Sequence, residues 1–135
     1  MARVLATLVL AGLMAAMSGC GSSSQRSTIR ILSAKVIGAD VLLRVKITGW
    51  KMAPPRQGVV PKPRTGQWQI FADERYAGFS DQPTYGIIPG LPVGTYRIWV
   101  ALARTDFSLV YPLIRSPPVT VHVSGAGSLY TDETE

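Results

Sequence analysis

The chain has 135 residues, 47% of them hydrophobic and 16% charged, with 13 glycines and 10 prolines. That composition excludes a wholly disordered chain and favours one domain of short strands and turns over long helices. The formal net charge is +6, but without clustered basic residues and interleaved aromatics it does not point to nucleic acid, and a single cysteine excludes an internal disulfide.

The first element is not part of a fold. Arg3 precedes an uncharged, mostly apolar run from Val4 to Met17. This run falls short of the roughly 20 residues needed to span a bilayer core, and it suits the apolar region of a signal peptide. Ser18 and Gly19 follow, then Cys20. Met17-Ser18-Gly19-Cys20 resembles the lipobox of bacterial lipoproteins, although the family usually has Leu, Val or Ile where this chain has Met17. The resemblance implies a signal peptide over residues 1–19, cleavage before Cys20, and acyl chains on that cysteine. Several chains on one residue make a durable anchor. The membrane, through the Cys20 lipid, is thus one expected partner. Gly21 rather than Asp follows the cysteine, which in this family implies the periplasmic face of the outer membrane in cells with two membranes. Otherwise the outer face of the cytoplasmic membrane is implied. Residues 20–27 read as a lipidated tether, small and polar in composition, with a reach of roughly 15 Å.

From Thr28 the apolar period is two. Ile29 to Val36 is a strand candidate, and Val41, Leu43, Val45 and Ile47 alternate with Leu42, Arg44, Lys46 and Thr48. The segment from Lys51 to Arg64 holds four prolines and no acid. Its Lys51, Arg56, Lys62 and Arg64 form a candidate basic loop toward anionic lipid or polymer. Gln67 to Ala72, Tyr76 to Phe79 and Thr84 to Ile88 are further strands, with Asp73-Glu74-Arg75 as a hairpin turn. Tyr96, Ile98, Val100 and Leu102 form an inward row, with Arg97 and Trp99 opposite. Arg104 to Arg115 is too apolar for a free loop and is expected to plug one end of the domain or add a short strand. Val119, Val121 and Val123 complete a domain over residues 28–124, followed by an acidic tail over 125–135. About seven strands without a helix imply an all-β, antiparallel β-sandwich.

Two details resemble immunoglobulin-like domains. Trp68 lies in a middle strand, where that family keeps its core Trp, and Gly94-Thr95-Tyr96-Arg97-Ile98 resembles the tyrosine-corner segment. The resemblance implies a disulfide-free sandwich, with Ile98 where antibody-type domains have a cysteine. The pattern Gly66-x-Trp68-x-Ile70-x-x-Asp73 also resembles small exported envelope domains, some of which bind metal through histidines. Here the corresponding positions are Gln67, Gln69 and Phe107, so no metal role transfers.

Catalysis finds little support. His122 is the only histidine, and the carboxylates Asp40, Asp73, Glu74, Asp81 and Asp106 are scattered over turns, with only Asp73 and Glu74 adjacent. No catalytic residue, metal or cofactor is assigned. The alternation instead places Gln67, Gln69 and Phe71 beside Arg97, Trp99 and His122 on one outer sheet face, a candidate binding surface around an outward Trp99 if the face is open, and a structural one if a loop of the same chain covers it. The expected function is a membrane-anchored envelope lipoprotein with a non-enzymatic binding or structural role, its partner an envelope protein or an anionic envelope polymer. The alternative is a small-ligand or metal-handling periplasmic module.

Overall fold

The computed structural model describes residues 26–125. The signal peptide, Cys20 and most of the tether lie outside the described residues, as does nearly all of the acidic tail. Eight strands form, and no helix is present among the described residues. They are β1 (Thr28–Ile37), β2 (Asp40–Thr48), β3 (Lys51–Met52), β4 (Thr65–Ala72), β5 (Arg75–Ser80), β6 (Tyr85–Ile88), β7 (Gly94–Arg104) and β8 (Val119–Val123).

The strands divide into a three-stranded sheet, β1-β2-β6, and a five-stranded sheet, β3-β4-β7-β8, in which β5 also pairs with β4. Every pairing is antiparallel except the two-residue match of β3 to β4. Alternation explains the core between them. Ile29, Val41, Leu43, Val45 and Ile88 come from the smaller sheet. Trp68, Ile70, Ile98, Val100, Leu102, Val121 and Val123 come from the larger. One-residue register shifts would turn these rows outward, so burial of this many branched side chains fixes the pairing. A bulge between Ile31 and Ser33 inserts Leu32 into β1 and leaves it 56% exposed.

Trp68 is fully buried, as its flanking glutamines lead one to expect, and its indole N–H donates to the Gln82 carbonyl at 2.8 Å. The ring lies so close to β6 that a Cβ on Gly86 would stand 2.5 Å from it, so only glycine fits there. The Tyr96 hydroxyl donates to the Pro92 carbonyl at 2.7 Å, closing the turn that leads into β7.

The apolar excursion after β7 adds no full strand but lines β7's edge. Leu109 and Arg115 bridge to Ala103 and Ala101. The Leu102 N–H donates to the Ile114 carbonyl and the Ser116 N–H to the Val100 carbonyl, while Ser116 Oγ accepts from the Val100 N–H. β8 pairs the first half of β7 and this segment pairs the second. Val110 and Ile114 pack on the core, and Tyr111 stays exposed.

Candidate functional site

The expected binding face of the larger sheet is divided by the protein's own loops. Gln67 and Gln69 point outward, opposite Ala103 and Ala101, yet all four are buried. Gln69 Nε2 donates to the Phe107 carbonyl at 2.7 Å, and the Phe107 ring meets Phe79 edge-on. The Arg56 N–H, on the 53–56 segment, donates to the Thr105 carbonyl at 2.7 Å. These links hold two loops over this half of the sheet. The Gln67 amide is sealed in with neither its nitrogen nor its oxygen bonded. Both glutamines therefore leave the candidate surface.

Trp99 does point outward, but it is not an open platform. One ring face stacks on Phe71, centroids 4.1 Å apart and 9° from parallel. The Arg115 guanidinium lies 4.4 Å from the ring centroid in a cation–π contact. The indole N–H donates to the Asp73 carbonyl at 2.7 Å. Asp73 holds this corner from a left-handed backbone (φ 56°), with its carboxylate accepting from the Arg97 N–H at 2.9 Å. A shallow groove of about 560 Å³ remains here, lined by Asp73, Glu74, Arg75, Arg97, Trp99, Arg115 and Pro118. His122 is not in it. That side chain is exposed beside Thr95, with Nδ1 2.8 Å from the Thr95 hydroxyl, and Thr95 lies four residues from Trp99 along β7.

A second groove, of about 490 Å³, opens at the end of the sandwich where β1 begins. Arg26 and Ser27 come from the chain just before β1, Trp50 from the exit of β2, and Lys62 and Arg64 from the approach to β4. Arg104 ends β7, with Val110 and Ile114 behind. Four of these residues are cations and none is a carboxylate. Lys62 and Arg64 were legible as basic-loop residues. Arg26 and Arg104 were not, because their partners stand tens of residues away in sequence. Lys51 and Arg56, expected alongside, do not line it: the Lys51 N–H in β3 donates to the Arg64 carbonyl at 2.8 Å, and the Arg56 N–H to the Thr105 carbonyl.

Ser27 fixes the entry of the chain by donating its hydroxyl to the Gly49 carbonyl at 2.6 Å. Arg64 takes a left-handed backbone (φ 52°), an uncommon conformation for a non-glycine residue that turns the loop at the groove. The Trp50 indole N–H is buried in this wall without a hydrogen-bond partner. Like-signed side chains in a shared concavity raise the local potential for an anion.

Among the described residues, no three His, Cys, Asp or Glu side chains gather to hold a metal ion. The chain matches no protein-family model, no curated protein and no solved structure.

Proposed function

We propose that the protein is a cell-envelope lipoprotein, anchored through lipid on Cys20, whose immunoglobulin-like sandwich serves a non-enzymatic binding role toward an anionic envelope partner. The observation that carries the binding part is the groove lined by Arg26, Lys62, Arg64 and Arg104 without an acid. Arg26 in its wall lies six residues beyond Cys20 in sequence, so an anchored chain would hold the groove near the membrane surface. The leader that ends at Met17-Ser18-Gly19-Cys20 supports the anchor.

The immunoglobulin-like assignment is supported by the strand order, with β1, β2 and β6 in one sheet and β4, β7 and β8 in the other, where β3 and β5 both pair with β4. The buried Trp68 in β4 and the Tyr96–Pro92 hydrogen bond at the head of β7 fit the core Trp and the tyrosine corner of that fold.

Pull-down from native envelope tests the binding reading. The wild-type lipidated protein should recover an acidic polymer or protein. The double variant Arg64→Glu/Arg104→Glu should lose it at unchanged melting temperature, and raised salt should weaken the wild-type complex. A variant that recovers the same partner in the same amount rules out the groove.

A further inference from the structure

We infer that the outer face of the three-stranded sheet β1-β2-β6 lies flat on an anionic phospholipid surface, orienting the domain on the membrane that holds it. Unlike the larger sheet, this face is not covered by a loop among the described residues. β1 presents Arg30, Leu32, Ser33 and Lys35, all exposed. β2 presents Arg44 and Lys46, with Leu42 half-buried between the neighbouring strands. β6 adds Tyr85 and Ile87, 45% and 44% exposed.

The pairings set Arg30 directly opposite Lys46, Arg44 beside Tyr85, and Leu42 between Lys35 and Ile87. The only acid in these strands, Asp40, is buried and accepts from the Gly90 N–H at 2.9 Å. Like charges placed directly opposite each other weaken a sheet. Four cations surround an exposed aromatic and exposed aliphatics, with no exposed acid in these strands to neutralise them. Among the described residues such a face has no acidic counterpart to pair with. Anionic headgroups supply one, with the guanidinium and ammonium groups at the phosphates and Tyr85, Leu32 and Ile87 at the boundary with the acyl chains.

Chain length favours the same occupant. This inference rests on the Cys20 anchor. Only seven residues separate Cys20 from Thr28, where β1 starts, a reach of roughly 15 Å. β1 runs about 33 Å along the face. A tether that short keeps the start of the sheet at the headgroups, and the charge brings the remainder down.

The test uses lipidated protein extracted from membranes and reconstituted into vesicles of phosphatidylcholine, or of phosphatidylcholine with about one third phosphatidylglycerol. Lysine acetylation is followed by mass spectrometry at Lys35 and Lys46, with exposed Lys51 of the larger sheet as internal reference. On anionic vesicles Lys35 and Lys46 should react about fivefold more slowly relative to Lys51, and about 0.5 M salt should remove the difference. Arg30→Glu/Arg44→Glu should lose the protection while remaining on the vesicles. Equal labelling on both vesicle types, with the protein still attached, overturns the docking and leaves the anchor standing. Protein that fails to stay on phosphatidylcholine vesicles overturns the anchor itself.

Discussion

The outer faces of the two sheets are built by the same alternation and end in opposite states. On the smaller sheet, the outward row of Arg30, Lys35, Arg44, Lys46, Tyr85 and Ile87 is exposed. On the larger, the outward Gln67, Gln69, Ala101 and Ala103 are buried, and Trp99 is held between Phe71 and Arg115. Period two decides which side of a sheet a residue faces. Whether that side meets solvent depends on the length and apolarity of the loops nearby. The excursion between β7 and β8 packs Val110 and Ile114 on the core, and that burial holds the turn carrying Phe107 over the outer face, where Phe107 meets Phe79. The hairpin between β1 and β2 is too short to cover anything.

The largest expected effect lies between the faces. Trp68→Ala removes the largest buried side chain and its bond to Gln82, and should cost about 3–5 kcal/mol in chemical denaturation. The contrast itself is sharpened at Trp99. The stack on Phe71, the Arg115 contact and the bond to Asp73 would together be worth about 2–3 kcal/mol. A truly open aromatic would cost little when removed. Trp99→Ala should therefore destabilise by that amount. A change under about 0.5 kcal/mol would return Trp99 to the role of a free platform.

Gln67→Met keeps the volume of the side chain and removes two buried polar atoms without partners. It should stabilise the domain by about 1–2 kcal/mol. A loss instead would mean that the amide is hydrogen-bonded in solution. On the bare face, Arg44→Glu/Lys46→Glu should leave the melting temperature within about 2 °C of wild type.

The smallest effect concerns pH. The exposed Asp106 carboxyl is held below the usual carboxylate range, chiefly by the Ser108 hydroxyl at 2.5 Å and then by the Ser108 N–H. A lowered folded-state pKa contributes stability above the unfolded value and loses it as pH falls through the folded one. Asp106→Asn should thus melt slightly below wild type at neutral pH and merge with it in acid.

The strands were largely legible because a half-buried strand must alternate. β1, β2, β7 and β8 follow from their Val, Ile and Leu rows, and Trp68 from the polar residues on each side. β3 was not legible: two residues carry no period, and its pairing with Thr65 and Gly66 depends on how the proline-rich segment returns. The site was legible only in part. Lys62 and Arg64 announce themselves in a basic loop, whereas Arg26 and Arg104 join them through tertiary folding alone. The sandwiching of Trp99 depends on Arg115, sixteen residues on, which no local pattern connects to it.

The anchor is tested most directly by intact-mass and tandem mass spectrometry of the N-terminal peptide, taken from protein purified out of the membrane fraction. The expected result is a chain that begins at Cys20 and carries acyl groups on that residue. A peptide with an unmodified Cys20, or one whose N-terminus lies elsewhere, would contradict the lipoprotein assignment.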